Sequence, residues 1–355
     1  MTHSFQVFDQ LARQSQAALY LYIDIETVPS QDPTVTDAIR AKHVVAPLDL
    51  SVIVPDARLK TPEQVQDEIA VVQADILDGD LDKTALKAAK KRLTLLEKDL
   101  PLAAQKIEAD LAKRRANAIE GRAAAILKAE AAIEEEWRKT ALDASTGQIV
   151  SASVALGDQV VASVPVDDLS VDAEHDMLID LFEGIESMLD QHARALALEA
   201  LVAAGRSDIE SVKLEVQRQR VVPVVVAHHA AFDIRYVWQR AMILGVTPPS
   251  WWPIDARPWD TDRLNDTMLM WAGHGNRIGL DRLCRALGLP GKTGVDGSMV
   301  WDLVRDGRID EVVSYCDDDV RRLRSVHRRM IGLPVLDVDA IEVLAVGAEG
   351  EKEAA

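Results

Sequence analysis

The sequence predicts an α/β fold, in which helices cover a sheet, combined with one long helical segment. Short apolar runs typical of buried strands are followed by strands and helices in alternation, which indicates an α/β sandwich. Between Asp82 and Lys139 the apolar residues recur every seven positions, which indicates a coiled-coil-like helix. The chain has 355 residues, and this length is enough for about two domains.

The composition excludes several classes of protein. Hydrophobic residues make up 48% of the chain, so a sizeable core is expected and wholesale disorder is excluded. The net charge of −18 argues against a non-specific coat protein for nucleic acid, but an enzyme that meets phosphates through bound cations is compatible with it. We expect no membrane span and no secretory signal in residues 1–16, and the two cysteines, Cys284 and Cys316, suit a reducing cytoplasm.

The elements of the α/β part are predicted in chain order. Residues 17–27 form a buried strand, and residues 147–156 and 160–164 form a strand pair that turns at Gly157-Asp158. The next predicted elements are a helix over 177–204 and a short strand over 224–227, whose start Pro223 marks. They are followed by a helix over 232–244 and a helix over 312–330.

The helical segment is predicted over residues 31–137 as a hairpin or a small bundle. Thr61 begins a helix as its N-cap, with a proline at the first helical position and a glutamine that completes a capping box. Pro101 should kink or break the long helix. Residues 82–139 contain 14 Lys and Arg against 10 Asp and Glu, a local net charge of +4 that suggests a separate module.

The first strand carries an acidic pair at its end. Side chains two residues apart in a strand point to the same face, so Asp24 and Glu26 project side by side. Burial of one carboxylate is costly and two neighbours repel each other, and a divalent cation removes both penalties. The ordinary alternative is that the strand ends here and both acids are solvated.

Two helices carry further candidate acids. Asp233 lies near the start of the helix over 232–244, where the helix dipole favours a negative side chain. On the late helix, Tyr315 and Asp319 are four residues apart and share a face, Asp317 points away, and Asp318 is not excluded. The alternatives are a plain helix-start aspartate and a solvated acidic turn.

Taken in order, these motifs resemble the DEDD exonucleases. The Tyr-x-x-x-Asp motif is similar to that of the tyrosine branch of this superfamily. Further segments resemble the predicted 3′–5′ exonucleases related to the proofreading domain of family-B DNA polymerases: Asp266-Thr267-Met268, residues 280–292, and Asp296-Gly297-Ser298. The resemblance covers residues 16–30 and 138–332 and leaves out the helical segment. His229 is a departure, because the family usually has Asn at this position.

The resemblance implies a ribonuclease H-like mixed sheet flanked by helices. Residues 1–30 and 138–335 would form the exonuclease domain, residues 31–137 a helical insertion and residues 336–355 a C-terminal tail. The implied activity is hydrolysis of DNA from its 3′ end to nucleoside 5′-monophosphates. Two Mg²⁺ or Mn²⁺ ions would act as cofactors, since all-oxygen ligands favour hard cations. Their ligands would be Asp24, Glu26, Asp233 and Asp319, and Tyr315 would orient the attacking water.

Contacts to the substrate are expected at Thr27, His229, Phe232 and Lys292. Core packing is nevertheless favoured for Phe232, a solvated loop position for Lys292, and orienting or packing roles for the two histidines, His228 and His229. The expected partner is the 3′ end of a single DNA strand, and a replication or repair protein could bind the helical insertion. The insertion could also guide DNA, although a solvated hairpin or a dimerisation arm is favoured. Two alternatives stay open: an exoribonuclease on the same fold, and a catalytically quiet scaffold.

Overall fold

The computed structural model describes residues 18–205, 208–257, 259–292, 294, 296–336 and 339. The expectations for residues 1–17, and those for the C-terminal tail apart from residues 336 and 339, lie outside the described residues. The chain divides into two compact units: the described residues up to Thr36 together with those from Trp137 onward, and Asp37–Glu136. Among the described helices, none has the length and apolar character that a membrane crossing requires.

One mixed sheet forms the core of the first unit. Its strands, within the described residues, are β1 (Tyr20–Val28), β2 (Gln148–Leu156), β3 (Ala162–Pro165), β4 (Val224–Ala227) and β5 (Leu264–Asp266). Their order across the sheet is β3-β2-β1-β4-β5. The first three strands pair antiparallel, and β1, β4 and β5 run parallel. The α/β class is confirmed, and β5 escaped prediction because a three-residue strand has no readable alternation.

Helices occur in both units. In chain order they are α1 (Pro33–Lys42), α2 (Pro62–Leu77), α3 (Lys83–Lys139), α4 (Val171–Ala203), α5 (Ile209–Gln219), α6 (Ala230–Leu244), α7 (Thr267–Ala272), α8 (Leu280–Ala286), α9 (Val300–Arg305) and α10 (Ile309–Met330). Helix α4 begins six residues before its predicted start. The reason is that the Ser170 side chain accepts a hydrogen bond from the backbone N–H of Ala173 and caps the helix there.

Helices cover both faces of the sheet. On one face, Ile23 of β1 packs in a core cluster with Leu178 of α4 and Val237 of α6. On the other face, Tyr22 packs with Val320 of α10 and its neighbours. Because alternate residues of a strand share a face, Asp24 and Glu26, which lie two and four residues after Tyr22 on β1, also point to the side that α10 covers.

The second unit contains a helical hairpin. Val65 and Ile69 of α2 pack with Ala103 of α3, and the predicted capping box at Thr61 is present. Of the two outcomes expected at Pro101, a kink or a break, the break does not occur, because α3 continues through this residue from Lys83 to Lys139. Proline removes a single backbone hydrogen bond, and the packing of neighbouring residues against α2 holds the helix through that position.

Candidate active site

Four acidic side chains from three elements meet near the end of β1. Asp24 and Glu26 lie on β1, Asp233 lies in the first turn of α6, and Asp319 lies in the middle of α10. Asp24 is half-buried, and the other three are only 8%, 4% and 6% exposed, respectively. The alternative in which these acids are simply solvated is therefore wrong.

The parallel pairing of β1 and β4 brings these elements together. Helix α6 begins three residues after β4 ends, so its first turn lies at the carboxyl end of the sheet, beside the end of β1. The Asp233 carboxylate there accepts a hydrogen bond from the backbone of Ile25 on β1. The pairing of β1 with β2 shifts register between Glu26 and Thr27, and Thr27 is partly buried at this irregularity.

The most compact part of the site contains two of the four acids and a cysteine. Ligand atoms of Asp24, Glu26 and Cys316 all lie within 4.8 Å of one another. Among the described residues, Asp233 and Asp319 do not belong to a group as close as this one. Their charges nevertheless act on Asp24. The structure thus brings together the four predicted acids, with the β1 pair closest.

The electrostatics of the site favour a cation. Burial, followed by the charges of Asp233 and Asp319, raises the pKa of Asp24 well above its ordinary value. Burial and the charge of Asp319 do the same for the pKa of Glu26, and burial raises the pKa of Asp233 to about 8. Such shifts are typical of buried carboxylates, and the charge of Lys292, which lowers the pKa of Asp24 and Glu26, does not offset them.

Lys292 enters this site, so the favoured solvated position is wrong. Its Nζ lies 2.8 Å from Oδ2 of Asp319 and donates a hydrogen bond to the hydroxyl of Tyr315. The backbone N–H of Lys292 donates to Oδ1 of Asp281 at 2.6 Å, which fixes the loop after α8. Sequence spacing could not reveal this contact, because it joins a loop to a helix.

The acids that flank Asp319 on α10 point elsewhere. Oδ1 of Asp317 accepts hydrogen bonds from Ser153 at 2.7 Å and Ser163 at 2.5 Å, so it points away from the acids, as predicted. Asp318 pairs with Arg321 on its own helix, with an N–O distance of 3.0 Å. Of Asp318 and Asp319, the structure therefore favours Asp319 as the candidate metal ligand on α10.

The histidines and Phe232 have structural surroundings. Nδ1 of His228 lies 2.9 Å from the Thr267 hydroxyl, and Nε2 lies 2.8 Å from the Ile278 carbonyl oxygen, so both ring nitrogens are engaged. His229 has φ 67°, a left-handed conformation in which Asn and His are both enriched, so the backbone accommodates the departure from Asn that was expected here. The Phe232 ring lies 5.2 Å from that of Tyr236 and packs against the core.

Two residues of the site were not assigned a role from the sequence. The Asp266 carboxylate accepts four backbone hydrogen bonds: from His229 at 3.2 Å, Ala230 at 2.9 Å, Met268 at 2.9 Å and Leu269 at 3.2 Å. It thus holds the starts of α6 and α7 together. Arg322 lies 3.0 Å from Asp319. The sequence held a signal for each: Asp319 and Arg322 are three residues apart on a helix, and Asp266 comes directly before an apolar helical run.

The donor set fits a hard divalent cation. Carboxylate oxygens from Asp24, Glu26, Asp233 and Asp319 are the ligands that Mg²⁺ and Mn²⁺ prefer. The Cys316 thiol lies 3.4 Å from the backbone oxygen of Asp24 and donates to it. Burial, followed by the charge of Asp24, raises the pKa of Cys316 well above its ordinary value, which favours the protonated thiol, a poorer partner for a hard cation than a carboxylate.

Fold and site together define the class of protein. A mixed five-stranded sheet flanked by helices, with acids on β1, α6 and α10, is a ribonuclease H-like α/β fold with a candidate metal site. Residues 210–332 match a family described as "Predicted 3′–5′ exonuclease related to the exonuclease domain of PolB", which confirms the resemblance. The match includes Asp233, Lys292 and Asp319 but begins after β1. A search of curated proteins finds no match.

Proposed function

We propose that the chain is a metal-dependent 3′–5′ exonuclease that hydrolyses DNA to nucleoside 5′-monophosphates. The observation that carries this proposal is the convergence of Asp24, Glu26, Asp233 and Asp319, with pKa values of three of them raised by burial and by one another's charge. These acids would hold two Mg²⁺ or Mn²⁺ ions. The chemistry that such ions supply when bound is activation of water and neutralisation of charge on the phosphodiester.

The remaining side chains have roles in orienting the reactants. Tyr315, whose hydroxyl accepts a hydrogen bond from Lys292 and donates one to Asp319, would orient the attacking water. Lys292 would contact a phosphate oxygen of the strand, and His229, Phe232 and Thr27 would contact its terminal nucleotide. In the reaction, the water oxygen bonds to phosphorus, the bond from phosphorus to the 3′ oxygen breaks, and that oxygen takes up a proton.

The domain organisation and the partners belong to the same proposal. Residues 1–30 and 138–335 would form the nuclease domain, residues 31–137 an insertion that could bind a replication or repair protein, and residues 336–355 a tail. Within that tail, Asp339 is buried and paired with Arg324. The partner would be the 3′ end of a single DNA strand. A reducing compartment such as the cytoplasm suits Cys284 and Cys316, which are free and buried.

A metal-dependent digest of end-labelled DNA and RNA tests the proposal. We expect release of mononucleotides from DNA in Mg²⁺ or Mn²⁺. Equal attack on RNA would favour the exoribonuclease, and no release with either ion would favour the catalytically quiet scaffold.

Variants of Asp24 on β1 and of Asp319 on α10 remove proposed metal ligands, and Asp318 on α10 supplies their control. Asp319→Asn and Asp24→Ala should lower the rate by more than about 100-fold. Removal of a residue that only orients a metal ligand costs roughly 10- to 100-fold in activity, and removal of the ligand itself should cost more. Asp318→Asn, the matched control, should change the rate less than about threefold, because Asp318 pairs only on its own helix. Equal losses in Asp318→Asn and Asp319→Asn would contradict the assignment.

A further inference from the structure

A cavity of about 440 Å³ lies beside the start of α6, outside the acid cluster. Its walls are mainly apolar and include Ile234 of α6, Ile254, Leu264 of β5 and Leu269 of α7. Sites for small ligands have volumes of about 300–1,000 Å³ and combine apolar walls with a few polar groups. The cavity therefore has the size and lining of a binding site, and neither Asp233 nor any other acid of the proposed metal set lines it.

The charge at the edge of this cavity is positive. Arg235 and Arg257 line it and are exposed, and neither has an ion-pair partner among the residues that the structure describes. The one carboxylate in the lining belongs to Asp266, whose oxygens already accept four backbone hydrogen bonds. In a chain with a net charge of −18, two unpaired guanidinium groups at one cavity suit an anionic ligand.

An exposed aromatic ring adjoins the same edge. Trp259 is 70% exposed, and the guanidinium carbon of Arg257 lies 5.8 Å from the centre of its ring. A large exposed aromatic side chain beside an arginine is typical of surfaces on which bases stack, since every base has a π face and a phosphate. The edge thus offers the two contacts that a nucleotide makes.

The cavity and the acid cluster share a helix. Ala230, Ile234 and Arg235 face the cavity, and Asp233 lies within the same turns of α6, whose pitch is about 5.4 Å. A nucleic-acid strand whose terminal phosphodiester lies at the acids can therefore pass along α6. A nucleotide further from its 3′ end then reaches the cavity.

We infer that this cavity binds one nucleotide of the substrate strand on the 5′ side of the scissile bond. The base packs against the apolar wall and Trp259, and the phosphate pairs with Arg235 and Arg257. This inference rests on the proposed exonuclease function, and it names the part of the chain that holds the strand during hydrolysis.

Binding of a fluorescein-labelled ten-residue thymidine oligonucleotide, measured by anisotropy in EDTA, tests the inference without hydrolysis. Arg257→Ala, on an exposed loop, and Ala256→Phe, which fills the cavity, should each raise the Kd about tenfold. Arg257→Ala should also reduce the slope of log Kd against log salt by about 0.7, the value for one phosphate contact. Arg194→Ala, an exposed arginine on α4, is the matched control and should change neither quantity.

Hydrolysis separates the failure of this inference from that of the proposed function. With Mn²⁺, Arg257→Ala should lower kcat/KM for the oligonucleotide about tenfold relative to kcat/KM for the p-nitrophenyl ester of thymidine 5′-monophosphate, which cannot reach the cavity. If the native protein hydrolyses both substrates while Kd is unchanged in both cavity variants, the inference is overturned and the nuclease stands. If it hydrolyses neither but the variants weaken binding, the cavity site stands and the nuclease proposal falls.

Discussion

Asp318 and Asp319 illustrate how one peptide unit separates a candidate ligand from a structural residue. Both are buried on α10 and both contact arginines of that helix, but only Asp319 also contacts Lys292 and acts by its charge on Glu26 of β1. The rotation of about 100° per residue in an α-helix produces this difference. Similar logic applies to His327, two turns further along α10, which is fully buried and points to the same sheet.

Because the imidazole of His327 is buried, we expect the fold to lose stability in mild acid. Burial lowers its pKa from the ordinary value of 6.5 to about 4, and its ring nitrogens lie 3.2 Å from the Tyr22 hydroxyl and 3.0 Å from Nδ2 of Asn265. Because the folded pKa is the lower one, the unfolded chain takes up the proton first as the pH falls through the unfolded value. The folded state should lose about 2 kcal/mol between about pH 7 and pH 5.

Urea unfolding at about pH 7 and pH 5 measures this effect. His327→Gln, which does not titrate, should lose about 2 kcal/mol less than the native chain between these two values. If the two proteins lose the same stability, His327 is not the cause.

Helices α6 and α7 depend on a single carboxylate at their common start. Asp266 ends β5, caps α7 and also accepts hydrogen bonds from the first residues of α6. It therefore sets the direction of the helix that carries Asp233. Position 229 in the same turn has a left-handed backbone, so the chain reverses sharply between β4 and α6.

Replacing Asp266 should destabilise the fold and the site together. Asp266→Ala leaves four backbone N–H groups without their acceptor, so we expect the free energy of unfolding to fall by about 2–3 kcal/mol. Asp82→Ala removes the acceptor at the start of α3, which is exposed, and should cost only about 1 kcal/mol. Urea unfolding of both variants compares the two costs, and equal losses would mean that Asp266 acts as an ordinary cap.

The whole molecule carries its positive and negative charge unevenly. The net charge is −18, yet residues 82–139, most of which belong to α3, carry a net charge of +4. The first unit holds both the acids and the two cavity arginines, which have no ion-pair partner within the described part of the chain. From this distribution of charge, we propose that the first unit makes the contacts with the DNA strand and that the exposed lysines of α3 are solvated.

Neutralisation of three of these lysines tests that assignment. Lys87→Gln, Lys90→Gln and Lys91→Gln, combined in one variant, should leave the Kd for the labelled oligonucleotide within about twofold and its salt dependence unchanged. Three lost phosphate contacts would instead reduce the slope of log Kd against log salt by about 2. A reduction of that size would assign a guiding role to the helical unit.

The acidic motifs, the buried strands and the long helix were readable from the chain because each depends on spacing between near neighbours. Asp24 and Glu26 share a face through strand alternation, and Tyr315 and Asp319 through the helical repeat. The family resemblance followed from their order. The continuation of α3 through Pro101 was not readable, because the packing of α2 against it outweighs the local preference of proline.

Contacts between distant segments were decided by the tertiary structure alone. The parallel pairing of β1 with β4 brings Asp233 to Ile25, and the loop after α8 brings Lys292 to Asp319. The cavity beside α6 and the four hydrogen bonds to Asp266 depend on the same long-range packing. Residue types and local spacing do not specify such contacts, because these depend on how separate elements pack, and the free energy of packing belongs to the folded chain as a whole.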